Sequence, residues 1–555
     1  MKRILILLFV IASYSAAQNI GYVETNHPVY DFLDRLNNLN IISDYNSFDL
    51  PKTRVEISNY IKIIQINKNK LNNIDLEKLK IYNKEFEVNL TGDSENQQSF
   101  YDDIKLNNLF NQKEKYLYYS NKDNKILSLN FISEFDNISK YDVNTEESYN
   151  TSIIKFGAKV SGSINGVIGF NIEATNGTYS GNKELTFERK ELSYNYKYTQ
   201  DRETITATDF FDQTTGYLTA DFDYLKLKIG RDKKTIGYGH IKTILSEEAP
   251  LFDFVQADIN YSIFSFSYFH GKLLGDQSFR DYGESGSLNY VDEKFFGYHR
   301  LGLNFSRHLQ FGIGEMVVYG QRSIDLSYIN PFAFYKSMEH QNQDRDNAML
   351  FLDVQNQTIK GLKIFGNLVI DDIDFGKFGS GWYGNKLLYN FGFTSSNLYN
   401  IFPADITFQY IRSEPYMYTH RLSNNSLTSQ GVSLVTPLMP NSSLFSVKIC
   451  YYPHERFNIS SQFNYTLHGA NEYDSEGRLV NNFGGNINDG HRKYDSDKAD
   501  FLDGKKEYYR EGFLHLMYEP VNSYFLNLYL IYRNNSSGIE SKNEFVTRFN
   551  LTLKI

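Results

Sequence analysis

The sequence has 555 residues, and its 57 Lys and Arg against 66 Asp and Glu give a formal charge of −9; without Lys2 and Arg3 the balance is 55 against 66, or −11. So acidic a chain lacks the basic patches that nucleic-acid binding needs, which leaves nucleic acid out as a partner. Hydrophobic residues are only 41% and mean hydropathy is −0.47, which excludes a helical membrane protein, while 44 Tyr and 43 Phe exclude a fully disordered chain.

At the N-terminus, Lys2 and Arg3 precede an apolar run from Ile4 to Ala12, and Ser15-Ala16-Ala17 puts small residues where a signal peptidase reads. This predicts a signal peptide over 1–17, cleaved after Ala17, and export. No later stretch of about 20 apolar residues could form a transmembrane helix. Cys450 is the single cysteine, so no intrachain disulfide is possible, and no cysteine stands at the cleavage site to carry a lipid. A secreted soluble β-protein and an outer-membrane barrel remain.

Residues 18–87 read as a periplasmic helical domain. Val29, Phe32, Leu33, Leu36 and Leu39 recur at helical spacing, as do Val55, Tyr60, Ile61 and Ile64, and then Leu76, Leu79, Tyr82 and Phe86. Pro28 suits a first helical turn, and Pro51 sits just before the second helix. Each stripe needs a partner, so the three helices are expected to pack as a small bundle. Arg54-x-Glu56 and Asp31-x-x-Asp34-Arg35 could form a docking surface, but a solvated helix face is the favoured reading.

From residue 88 to 555 the period changes to two. In the last eleven residues Phe545, Thr547, Phe549, Leu551, Leu553 and Ile555 fall on one face, and Val546, Arg548, Asn550, Thr552 and Lys554 on the other. Leu225–Ile229 and Phe264–Tyr268 alternate in the same way, and aromatics bound segments such as Tyr524–Tyr529. Such a length of alternating strands is hard to fold as a sandwich, whereas a barrel leaves no edge and satisfies every backbone group in lipid. At roughly 25 residues per strand and connection, the region predicts a mainly β chain with a large antiparallel transmembrane barrel of about 18 strands. Ile555 is expected at the barrel seam. Polar interruptions mark loops over about 92–114, 136–150, 271–293, 412–430 and 469–508.

Signatures of catalysis are missing: no G-x-x-x-x-G-K-[ST], G-x-S-x-G, H-E-x-x-H or C-x-x-C occurs. Asp372-x-Asp374-x-Gly376 resembles the start of a calcium loop but lacks its remaining ligands. Glu247-Glu248 are adjacent, so on a strand they point to opposite faces and do not flank one glycosidic bond. No enzyme, cofactor or metal is expected.

The middle of the chain carries a denser polar constellation. In order come Gly230-Arg231-Asp232, Gly237-x-Gly239, Leu245-Ser246, Ala249-Pro250, His299-Arg300, Glu315, Tyr319, Arg322, Asn330-Pro331, Glu339-His340, Asp346-Asn347 and Asp371-Asp372. With His27–Leu36 near the start, and Gly431–Leu434 and Pro440-Asn441-Ser442 later, this order resembles the capsule assembly Wzi family over nearly the whole mature chain. The resemblance implies an outer-membrane barrel of about 18 strands with a helical bundle, acting as a non-enzymatic surface lectin in capsular or exopolysaccharide assembly. It carries over neither the sugar nor any individual sugar-binding residue.

Sugars are held by aromatic faces and by carboxylates, amides and guanidinium groups. Candidate glycan-binding or lumen-polar residues are Arg231, Arg300, Glu315, Tyr319, Arg322, Glu339, Asp346, Asn347 and Asp353, with Trp382 and Tyr383 in a Gly-rich loop. For any one of the charged residues, mutual pairing inside the barrel is favoured over ligand contact. Asn330-Pro331 reads either as the start of an inward plug or as an ordinary turn, and the plug is the favoured reading. The expected partners are surface polysaccharide, outer-membrane lipid and other export or assembly components at the helical domain; the alternative function is a porin or substrate-specific channel.

Overall fold

The computed structural model describes residues 18–102, 105–194, 210–281, 287–396, 403–435, 438–538 and 540–555, so the signal-peptide segment 1–17 lies outside the described residues. Eighteen antiparallel strands form one closed barrel. In chain order they are β1 Lys125–Asp142, β2 Glu147–Ile164, β3 Ile168–Gly181, β4 Phe210–Asp221, β5 Leu225–Asp232, β6 Phe252–Tyr261, β7 Phe264–Asp281, β8 Ser287–Ser306 and β9 Leu309–Gly320. The second half comprises β10 Asn347–Asn356, β11 Leu362–Asp372, β12 Lys386–Ser396, β13 Ala404–Ser413, β14 Ser442–His454, β15 Phe457–Ala470, β16 Lys505–Tyr518, β17 Tyr524–Ser537 and β18 Glu540–Lys554. Each strand pairs with the next, and β18 closes on β1 from Glu544 opposite Asp142 to Lys554 opposite Ile132. Ile555 extends this seam, its amide donating to the Phe131 carbonyl at 2.8 Å.

Alternation assigns the two faces. On β18, Phe545 and Phe549 are exposed on the outer wall, while Arg548 turns into the bore and donates twice to Asp136, both at 2.8 Å. Ile154, Phe156, Leu218, Ile229, Phe391 and Phe463 continue the outer apolar belt around the wall. Such a belt matches hydrocarbon, and closure leaves no unpaired strand edge within it. Tight turns such as 165–167, 222–224, 262–263, 307–308 and 455–456 gather at one end of the barrel, and long connections such as 233–251, 321–346, 414–441 and 471–504 at the other. Two expected loops are mostly strand: β1 and β2 leave only 143–146 between them, and β7 and β8 run to Asp281 and from Ser287. Beyond the lipid belt both faces of a strand meet water, so apolar alternation fades while backbone pairing continues.

Among the described residues, four α-helices precede the barrel: α1 Val29–Asn38, α2 Arg54–Ile66, α3 Asn73–Glu85 and α4 Glu87–Thr91. Thr53 caps α2, its side chain accepting from the Glu56 amide while the Glu56 carboxylate accepts from the Thr53 amide. Leu33, Leu36, Ile57, Ile61, Ile64 and Leu79 form the bundle's own core.

Asp34, Arg35 and Glu56 face the barrel rather than water, which overturns the solvated-face reading for these three, whereas Asp31 is exposed and Arg54 pairs with Glu85 inside the bundle. Arg35 is buried between Asp75, at 3.3 Å, and Asp405 at the turn end of β13, at 2.8 Å. Asp34 pairs with Lys363 of β11, and Glu56 with Lys226 of β5 at 3.0 Å. Asn38 donates to the Ser396 hydroxyl at 2.8 Å and accepts from the Gly361 amide at 2.8 Å. The bundle therefore closes the turn end. A free-standing helical unit would solvate these charges; here the rim of the bore supplies their counter-charges.

Replacing Arg35 by Ala would leave two carboxylates buried without their cation, a cost of about 3 to 5 kcal/mol. The expected result is faster amide exchange across 29–85 with the barrel's heat-modifiable gel mobility unchanged. A pH effect follows from Glu56: burial opposes its ionisation, but Lys226, Lys52 and the Thr53 hydrogen bond prevail and bring its pKa from 4.5 down to about 2. That contribution to stability is present above about pH 4.5 and lost as the pH falls toward about 2. Amide exchange in the first turn of α2 should accelerate over that acid window.

Candidate functional site

Two segments from the loop end fold into the bore. The apolar pattern of Ile236, Tyr238, Ile241, Ile244 and Leu245 drives 233–251 inward, where these side chains pack with Tyr298, Phe351, Phe365 and Ile411 from the strands. Leu427, Leu434 and Val435 of 414–441 join the same core. The inward segment meets the bundle in mid-bore: Asp49-Leu50 pairs antiparallel with Thr235-Ile236, and Phe48 packs on Tyr238 with ring centroids 4.9 Å apart.

Beside this core lies an ion pair of two predicted residues. Arg300 donates to both Asp353 oxygens, at 2.7 and 2.8 Å, and its guanidinium lies 4.7 Å from the Phe48 ring. Gly312 lets the pair lie flat on the wall, since a Cβ there would come within 2.1 Å of the Asp353 carboxylate. Asn347 also points inward and donates to the Asn425 carbonyl at 3.1 Å. The other half of the bore holds a chamber of about 810 Å³. Charged residues line it, among them Glu134, Arg189, Glu247, Lys448 and Arg548. Many are already paired, as Arg189 is with Glu134 and Asp136, at 3.0 Å each.

Six other predicted residues leave the bore altogether. On β9, Met316 and Val318 face inward, so Glu315 and Tyr319 face the outer wall. There the connection 321–346 doubles back over them as a strap carrying α5 Leu326–Ile329 and α6 Tyr335–Gln341. Glu315 accepts from the Tyr335 amide at 2.7 Å and lies 3.3 Å from His299; Tyr319 bonds His270 at 2.8 Å. Arg322 grips the buried Asp346 at 2.6 and 2.7 Å, and Glu339 pairs with Lys336 at 2.7 Å. Outside the strap, Leu326, Phe332 and Phe334 are 79%, 71% and 73% exposed and continue the apolar belt. Asn330-Pro331 thus begins no plug: the segment covers polar wall groups that hydrocarbon would otherwise desolvate. Arg231 is likewise on the outer wall, exposed and paired with Asp253 at 2.7 and 2.9 Å.

Trp382 and Tyr383 come together in a cleft of about 540 Å³ at the loop end. The 373–385 loop is tied to 471–504 by the Tyr383 amide donating to the Asp497 carbonyl at 3.1 Å and the Ala499 amide to Gly381 at 2.8 Å. His491 stacks on Tyr383 at 3.5 Å. Because Ile411 is buried in the bore, Arg412 beside it points outward, stacks 3.8 Å from the Phe501 ring and donates to Glu414 at 2.7 Å. Phe378, Leu387, Tyr389 and Asp500 complete the lining. Aromatic faces beside a guanidinium and carboxylates can hold a saccharide.

Sequence reasoning missed Arg412, Glu414, His491 and Phe501. Arg412 stands at the start of an expected loop in the sequence, and its meeting with Phe501, 89 positions on, depends on how the 471–504 connection folds back onto β13. In the calcium-like motif, Asp374 accepts from the Gly376 amide and Asp372 pairs with Lys336 and Lys386, and no cluster of metal ligands occurs among the described residues.

No protein-family model matches the chain, and no curated protein matches it. Among solved structures it is similar to Wzi, an outer-membrane protein involved in group 1 capsule assembly in Escherichia coli and described as a carbohydrate-binding β-barrel. Identity is 11% and TM-score 0.57, over 96% of this chain and 99% of that one. The fold is therefore that of the Wzi barrel. More distant in shape are opdK of Pseudomonas aeruginosa, at 12% identity and TM-score 0.43, and OccAB2 of Acinetobacter baumannii, at 12% and 0.44; each covers 77% of this chain and 98% of its own.

Because Asp346 is buried and Arg322 is its cation, Arg322→Ala should loosen the strap by about 3 kcal/mol. Amide exchange should rise within 321–346 and stay unchanged in β9 and β10.

Proposed function

We propose that this chain is an outer-membrane, non-enzymatic glycan-binding barrel that retains or organises polysaccharide at the cell surface. In this reading the signal peptide at 1–17 exports it, the helical domain 18–87 closes the periplasmic end and meets export or assembly components, and the barrel 88–555 presents its long loops outward. Short turns inside and long loops outside are the usual asymmetry of such barrels. The observation that carries the reading is the aromatic cleft of Trp382, Tyr383 and Phe501 with Arg412 at the loop end. It is supported by a bore crossed from both ends, by the helical bundle and by 233–251. The likeness to a carbohydrate-binding barrel agrees with it.

One observation favours the channel reading: the chamber of about 810 Å³ is lined by charge, as a polar conduit would be. Most of these charges satisfy one another, which a packed interior also requires.

The test compares a strain lacking this chain with the same strain complemented, measuring cell-bound and released polysaccharide. Deletion is expected to move glycan into the medium at unchanged total output, and complementation by Trp382→Ala/Tyr383→Ala is expected to restore little retention. An unchanged partition, together with stable single-channel currents of the purified chain in planar bilayers, would replace retention by conduction.

A further inference from the structure

The cleft around Trp382 opens sideways, and this bears on which form of glycan it can take. Tyr389 and Arg412 are cross-strand neighbours on the outer face of β12 and β13. One row toward mid-barrel on that face, Phe391 and Tyr410 are 58% and 43% exposed and belong to the apolar belt. The wall side of the cleft is thus continuous with the surface that meets acyl chains. Its other side is polar and aromatic: Arg412, at the loop end of β13, with Glu414, and from the loops Asp500 and Trp382, the Lys377 ammonium 4.0 Å from the Trp382 ring. Phe375, 82% exposed, and Phe378 project from the same loop where the belt ends. A soluble polymer arriving from above would have no use for the apolar half.

We propose that this cleft binds an acylated saccharide of the surrounding leaflet, with its first sugars against Trp382 and Arg412 and its acyl chains along Tyr389, Phe391 and Tyr410. The proposal rests on the glycan-binding reading and narrows it to a membrane-anchored glycan taken laterally. The aromatic rings supply the flat contact for sugar faces, Arg412 and the carboxylates of Glu414 and Asp500 bond hydroxyl or acid groups, and the belt residues need only match hydrocarbon.

Trp382 is the only tryptophan of the chain, so emission excited at the red edge, where the 44 tyrosines do not absorb, reports this cleft alone. The experiment places the purified full-length protein in phospholipid nanodiscs and follows Trp382 emission in two arms. One raises the mole fraction of lipopolysaccharide in the disc; the other adds its deacylated saccharide in solution. The expected result is a saturable emission shift with the acylated form, at least roughly tenfold weaker response to the deacylated one, and loss of the shift in Arg412→Ala. The Tyr389→Ser variant, whose side chain is on the wall rather than in a loop, should weaken the acylated form and leave any residual saccharide response unchanged. Equal responses to the two forms would overturn lateral capture while leaving glycan binding intact. No response to either form, in a chain that still retains polysaccharide on cells, would overturn the cleft as the site; no response together with no retention would remove both readings.

Discussion

Hydrocarbon offers no hydrogen-bond partner, and the architecture of this chain follows from that one fact. Eighteen strands satisfy their backbones by closing β18 onto β1, and the outer wall carries a belt rich in Phe, Leu and Ile toward lipid. The wall of β7 to β10 breaks the pattern, with His270, His299, Glu315 and Tyr319 on its outer face. The chain answers with the strap of 321–346, whose backbone amides and side chains satisfy that patch while Leu326, Phe332 and Phe334 restore an apolar exterior.

The bore obeys the complementary rule. Inside, the charges have each other: Arg300 with Asp353, Arg548 with Asp136, Arg189 with Glu134. The bundle uses the same chemistry to seat itself, since Arg35, Asp34 and Glu56 find counter-charges on β13, β11 and β5. A buried ion pair adds little net stability, but leaving one partner alone is costly, so such pairs fix where the bundle sits more than how tightly it holds. Fixing the bundle also fixes Phe48 and Asp49-Leu50, against which the inward segment from the opposite end is paired.

Exposure around open space, more than pairing, separates candidates for recognition from ordinary interior residues. The groups of the bore and of the strap are largely committed to protein partners. In the cleft at the loop end the pairs Arg412–Glu414 and Lys498–Asp500 lie beside aromatic rings around open space, next to a wall that faces lipid.

Composition and periodicity by themselves determined the class of this protein. Alternation over the long β region required a barrel, its length set the strand number near 18, and the stripes of α1 to α3 required a bundle. They did not determine which side of the wall a polar residue faces in a strand such as Leu309–Gly320, where Glu315 and Tyr319 sit among apolar residues on both faces. They could not show that Arg35 is buried, because an Arg on an amphipathic helix reads as solvated until a counter-charge 370 positions away is brought beside it. Nor could they bring Trp382 to Phe501 or turn Asn330-Pro331 outward rather than inward. A two-residue period is a local property of one strand, but the bore, the strap and the cleft are made by contacts between segments distant in sequence. Those contacts were decided only when barrel closure fixed every strand's neighbours.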